Sequence, residues 1–128
     1  MELVHLTILL ALLEYGVMGA LVGRARGKYG VHAPAMTGHP AFERANRVHV
    51  NTLESLIIFI PAIWIFATYV SASWAAGLGF VFVASRAVYA VGYLKAAEKR
   101  SIGAGITGIV NIVLVVGALV GLLLEALR

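Results

Sequence analysis

Residues 53–94 read LESLIIFIPAIWIFATYVSASWAAGLGFVFVASRAVYAVGYL, and this stretch decides the fold. It contains two apolar runs, Leu53–Val70 and Trp74–Leu94, separated only by Ser71-Ala72-Ser73. Each run holds roughly 18–21 residues, and about 20 are needed to cross the hydrocarbon core of a bilayer as a helix. So short a link makes the pair a transmembrane hairpin. Working outward, Leu3–Val22 and Ile106–Leu124 are runs of the same kind. The expected architecture is therefore all-α: an integral membrane four-helix bundle in up-down-up-down order, a single domain over residues 1–128. Its predicted spans are 3–22, 41–70, 74–94 and 105–125. The opening Met1-Glu2-Leu3 lacks the basic region of a cleaved signal peptide, so the first run is expected to persist as a mature helix.

Composition agrees. Of 128 residues, 61% are hydrophobic and 12% charged, about half the charged share of an ordinary soluble domain. The mean hydropathy is +0.93. A soluble fold of this size could not hide so much apolar surface. There is no cysteine, which excludes a disulfide framework, a thiolate metal site and a thiol nucleophile carried by the chain itself. Any thiol chemistry would need sulfur from a bound molecule. The net charge of +4 comes without a long basic run, so the charges read as topology signals beside apolar spans and not as a nucleic-acid surface.

The connections are unequal. Gly23–Thr52 is long and polar, with Arg24, Arg26, Lys28, Arg44 and Arg47; Lys95–Gly105 carries Lys95, Lys99 and Arg100. Both lie on one side, which the positive-inside rule assigns to the cytoplasm, with both termini opposite. Thr37-Gly38-His39-Pro40 reads as a loop feeding a helix, with Pro40 in the first turn and Glu43 near the positive end. A helix from there to Val70 would measure about 45 Å at 1.5 Å per residue, long enough to project beyond the hydrocarbon. Pro61 is expected to kink it. Gly19/Gly23 and Gly117/Gly121 are small-xxx-small pairs suited to close helix approach.

The informative residues are polar groups at helical spacing within or beside these spans. Arg44, Arg47, Asn51 and Glu54 fall at i, i+3, i+7 and i+10, within roughly an 80° arc at about 100° per residue; His49 points away. Arg86, Tyr89 and Tyr93 form a second stripe, which Arg100 continues if the helix persists. Guanidinium forks, an amide, a carboxylate and phenols facing one another would suit a small zwitterion with several carboxylates and peptide groups. The plainer reading makes the arginines snorkelling anchors with Glu54 neutralising one of them. Desolvation cost argues against decoration for the whole set. Glu14 and Arg86 fall at matching depths of about 14 Å, which predicts a structural ion pair, with Asn111 in the same network. His5, His32, His39 and His49 have no metal-ligand spacing; His39 and Glu43 lack a third ligand, so no metal is expected and solvated histidines are the default.

The run FERANRVHVNTLES (Phe42–Ser55), then an apolar span, then SRAVYAVGYLKAAEKR (Ser85–Arg100), resembles the membrane-associated proteins in eicosanoid and glutathione metabolism. The likeness extends from Arg26 to Arg100. It implies a homotrimer of four-helix subunits with glutathione as co-substrate, bound between subunits near the cytoplasmic face. It further implies that Arg26, Arg47, Asn51, Glu54, Tyr89 and Tyr93 hold glutathione and that Arg100 stabilises its thiolate. The partner substrate would be a lipophilic electrophile or lipid hydroperoxide drawn from membrane lipid. Gly27 stands where the leukotriene-synthesising branch has a second arginine, His49 replaces a glutamine and Ser55 a tyrosine. These departures point to a general detoxifying transferase or peroxidase. The rival readings are a non-catalytic, lipid-binding scaffold of the same family and a small proton-coupled multidrug exporter using Glu14. The long polar connection and the arginine stripes fit the exporter poorly.

Overall fold

A computed structural model describes all of residues 1–128 as four long helices and one short turn. Helix α1 spans Glu2–Tyr29, α2 Pro40–Tyr69, α3 Ala72–Lys95 and α4 Ser101–Ala126, with a 3-10 turn at Ala97–Arg100 between the last two. Each of the four is long and apolar enough to cross a membrane.

The first helix outruns its expected end at Val22. Arg24, Arg26 and Lys28 were expected in the connection, yet good helix formers among these residues carry α1 onward to Tyr29, and cations suit the negative end of a helix. Gly30 then stops it. Its φ of 66° lies in the left-handed region that favours glycine, and its N–H returns to the Arg26 carbonyl. The start of α2 matches expectation: Pro40 occupies the first turn, and the His39 ring caps the helix, with Nδ1 accepting from Ala41 N–H at 3.1 Å. Glu43 reaches back to accept from Gly38 N–H at 3.3 Å. His39 also stacks on Tyr29, with centroids 4.0 Å apart. It is therefore a helix cap, not the solvated loop histidine that the sequence suggested.

Helices α2 and α3 each pack on all three other long helices. The end of α2 lies beside the end of α4, since a Cβ at Gly117 would strike Phe66 and one at Gly121 would strike Val70. Gly79 in α3 meets Thr7 of α1 and Ile63 of α2 in the same way. The main core joins Val4, Ile8 and Ala11 to Leu56, Phe59 and Ile63, then to Phe82 and Leu114. Phe59 and Phe82 stack at 3.8 Å. Most of the remaining Leu, Ile and Val side chains on α1 and α4 face outward and exposed, the pattern expected where lipid is the solvent.

Helix α4 approaches α3 closely at Gly103, where an added Cβ would run into the backbone and Cβ of Tyr89. Backbone cannot rotate out of the way, so Gly103→Ala must push the helices apart. Overpacking of this kind costs about 1–3 kcal/mol. The variant is expected to melt several degrees lower in detergent, while Gly105→Ala, which meets nothing within 4 Å, should melt like the parent. Equal melting of the two would show that α3 and α4 are not in this close register.

Candidate functional site

The site grows from one buried cation. Arg86, on α3, is 1% exposed. A guanidinium so placed has to find acceptors, because an unpaired buried charge is prohibitively costly. It finds them on α2: Nη2 donates to Asn51 Oδ1 at 3.0 Å and to Thr52 Oγ1 at 2.7 Å. Its plane lies over the Tyr89 ring at 4.0 Å from the centroid. A second brace ties α4 to α2, where Asn111 Nδ2 donates to the Ser55 carbonyl at 3.2 Å. A third joins α3 to α4 through the Ser85 and Thr107 hydroxyls, 2.8 Å apart.

These braces line a groove of about 550 Å³ between α2 and α4, with Arg86 on its wall. Asn51, Glu54, Ser55, Thr107 and Asn111 give it polar character at one end, and Ile58, Ile112, Val115 and Val116 make the other end apolar. From Arg86 a row of contacts leads outward along α3. Tyr89 and Tyr93 are 5.6 Å apart and tilted by 60°; the Arg100 guanidinium then sits 5.7 Å from the Tyr93 ring. The two stripes thus meet, joined through Arg86 and Asn51.

The helix does not persist to Arg100: α3 ends at Lys95, one residue beyond the expected Leu94, and Ala96 is extended. The 3-10 turn brings Arg100 back over Tyr93, and Nη1 donates to the Ala97 carbonyl at 2.8 Å. Exposed Arg47 and Glu54 share the α2 face with Asn51. Tyr89 is 2% exposed, so it forms a floor beneath Arg86. Arg26 stays apart from the row of its own chain. It donates to the carbonyls of Ala35 at 2.8 Å and Val31 at 3.5 Å, and it lies over Phe42 at 4.7 Å. Arg44 is spent on structure, with Nε donating to the Leu94 carbonyl at 3.4 Å.

The charges have a common feature. The one ion pair within 4 Å in the chain is Arg128–Glu125. Arg47 and Arg100 therefore have no carboxylate partner, and Glu54 has no cation. Glu54 lines the groove, Arg47 shares its helix face and Arg100 closes the tyrosine row, so cations and a carboxylate without ionic partners flank the polar end.

The expected Glu14–Arg86 pair is absent. Both residues sit in the bundle, but Arg86 turns toward α2, where a hydroxyl and an amide meet Nη2; Glu14 Oε1 and Arg86 Nε are each buried without a partner. Asn111 does not join them; it belongs to the α2–α4 brace. Sequence reasoning also passed over Thr52 and Thr107, and took Ser55 only as a replacement for the family's tyrosine. Small hydroxyls are common in membrane helices and carry little signal alone. Adjacency of Thr52 and Ser55 to the Asn51–Glu54 stripe was the one available hint. His49 was rightly set aside from the stripe: it stacks on Tyr15 of α1, with centroids 4.4 Å apart.

Residues 4–120 match the sequence model of the MAPEG family. An uncharacterized protein of Synechocystis sp. is 49% identical over 114 residues, covering 89% of this chain and 83% of that protein. Microsomal glutathione S-transferase 2 of Homo sapiens is 41% identical over 99 residues, covering 77% of this chain and 67% of the relative. Leukotriene C4 synthase of Cavia porcellus is 35% identical over 92 residues, with 72% and 61% covered.

Burial of the Glu14 carboxylate without a hydrogen-bond partner costs more than its attraction to Arg86 returns. Glu14→Gln keeps the shape and removes the charge, so the thermal midpoint is expected to hold or rise. A fall of more than about 4 °C, roughly 1 kcal/mol for a chain of this size, would reveal an ion pair with Arg86 after all.

Proposed function

The chain belongs to the MAPEG family, and on that premise we propose that it is a membrane-bound glutathione transferase. The observation that carries the reading is a groove polar at the end lined by Asn51 and Glu54 and apolar at the other, with Arg47, free of any carboxylate, on the same α2 face and Arg100 at the end of the row that leads out from Arg86. Relatives named for glutathione transfer and leukotriene synthesis support it.

In this reading Arg47 takes a carboxylate of glutathione, Glu54 takes its ammonium, and the Asn51 amide and Tyr93 hydroxyl hold the peptide groups. Tyr89 supports them from below through Arg86. Arg100 is the catalytic residue. A cation beside a thiol at the edge of a low-dielectric region favours the thiolate, which is the nucleophile. The proton leaves to solvent, the sulfur attacks an electrophilic carbon, and the leaving group departs with the bonding electrons. With a hydroperoxide the same thiolate attacks the terminal oxygen and releases an alcohol. The sulfenate so formed is protonated and reacts with a second glutathione to give the disulfide and water. The apolar reach toward Val116 accepts the lipophilic partner from the bilayer.

The assembly we propose is a homotrimer of up-down-up-down bundles with glutathione between subunits on the cytoplasmic side and both termini opposite. Arg26 then serves the glutathione of the adjacent subunit, consistent with its separation from the row in its own chain.

Arg100→Ala tests the assignment with glutathione and a chlorinated nitrobenzene as substrates. Loss of a positioned group that stabilises developing charge lowers turnover by about 10²–10³, and the ultraviolet absorbance of the bound thiolate should fall with it. Full thiolate absorbance in the variant would move the activating role to another group. Absence of saturable heat on titrating the wild type with glutathione would instead favour a non-catalytic scaffold.

A further inference from the structure

The groups nearest the glutathione of the proposed function stand on a residue that need not touch it. Arg86 is set into the groove wall and almost fully buried, and its Nη2 carries two hydrogens, one for Asn51 Oδ1 and one for Thr52 Oγ1. A guanidinium has donors and no acceptor. The atom of the Asn51 amide that faces it must therefore be the oxygen, because the NH₂ group there would set donor against donor. Asn51 is half-buried and borders the groove. With its oxygen committed inward, only its NH₂ can face a ligand.

We infer that Arg86 is a positioning residue that fixes the Asn51 amide in one flip state, so that the site offers glutathione a donor at this point and never an acceptor. The inference rests on the glutathione reading for its ligand and on the Arg86–Asn51 geometry for its mechanism. It has a consequence for selectivity. The group of the ligand opposite Asn51 is an acceptor, a carboxylate or peptide carbonyl, and the ammonium is left to Glu54. Thr52 strengthens the device by occupying the second Nη2 hydrogen, which stops the guanidinium from rolling away from Asn51. Tyr89 holds its face at 4.0 Å.

Calorimetric titration with glutathione tests this on the wild type, Asn51→Ala, Asn51→Asp, Arg86→Met and the Arg86→Met/Asn51→Ala double variant. Asn51→Ala and Arg86→Met should each weaken binding by roughly ten- to hundred-fold. The double variant should bind no more weakly than Asn51→Ala, since Arg86 acts through Asn51; a merely structural loss would add to it. Asn51→Asp keeps the bond to Arg86 but turns an oxygen toward the ligand, so it should bind at least as weakly as Asn51→Ala. Additive losses, or an Asn51→Asp variant that binds like the wild type, would overturn the inference. Should Arg86→Met fail to fold, the comparison of Asn51→Asp with Asn51→Ala decides alone. If the wild type takes up no glutathione, the proposed function falls separately. The ¹⁵N spectrum of the Asn51 side-chain amide then decides the Arg86 role. A side-chain NH₂ as rigid by ¹⁵N relaxation as the α2 backbone, loosened when Arg86 is replaced by Met, would uphold it, and a side-chain amide already mobile in the wild type would overturn it.

Discussion

Burial of the Arg86 guanidinium among four apolar helices is the constraint on which the rest of the site depends. In lipid or in a packed bundle, a charge of this kind persists only where acceptors are fixed within hydrogen-bond reach. Asn51 and Thr52 are such acceptors, and they are adjacent in sequence on α2. Meeting both at once sets how far α3 slides along α2 and how it is rotated about its own axis. That register then places Tyr89 under the guanidinium and brings Gly103 of α4 against the Tyr89 backbone. It also leaves room for Asn111 to bond the Ser55 carbonyl. A hydrophobic core alone would tolerate several sliding positions, because one leucine replaces another with small loss. Two short hydrogen bonds to one nitrogen do not.

The cations of the chain then divide by whether this frame uses them. Arg44 and Arg26 are spent on backbone carbonyls, at the end of α3 and in the loop after α1. Arg47 makes neither an ion pair nor a side-chain hydrogen bond, Arg100 bonds only the Ala97 carbonyl of its own turn, and Glu54 has no cation within 4 Å. Side chains that a fold does not need, placed together beside a groove, mark where an external molecule completes the electrostatics. The local net charge is positive. Such a surplus favours an anionic ligand and favours the ionised form of any thiol brought into it.

Much of this was legible before any coordinates, and the failures have physical causes. Helical periodicity in residues 44–54 and 86–93 located both polar stripes, because 3.6 residues per turn is a rigid rule. Length and hydropathy located the four spans. The end of α1 was missed because Arg24, Arg26 and Lys28 resemble a connection in composition, although nothing in those residues breaks a helix before Gly30. The path to Arg100 stayed open because the break at Ala96 has no proline or glycine to announce it; a Cβ on Gly92 would collide with the Lys99 carbonyl, so tertiary packing makes that turn. The Glu14–Arg86 pair failed for a different reason. Depth along a span can be counted from sequence, but rotation about the helix axis relative to a third helix cannot, and Arg86 faces α2.

On the proposed function, the groove makes recognition of the two substrates differ in kind. At the end beside Asn51 and Glu54, a charged molecule arriving from water must be drawn out of solvent by matched partners, so specific side chains are required and their spacing is readable. At the end beside Ile112, Val115 and Val116, a lipophilic molecule is already dissolved in the bilayer and concentrated there by the hydrophobic effect. It needs only a dry surface of adequate width, since transfer from lipid to an apolar wall changes little free energy. Polar contacts at that end would add a desolvation cost without adding affinity. An apolar wall of interchangeable Val and Ile residues is thus what the proposed function requires, one thiol held by specific partners and many lipophilic molecules accepted beside it.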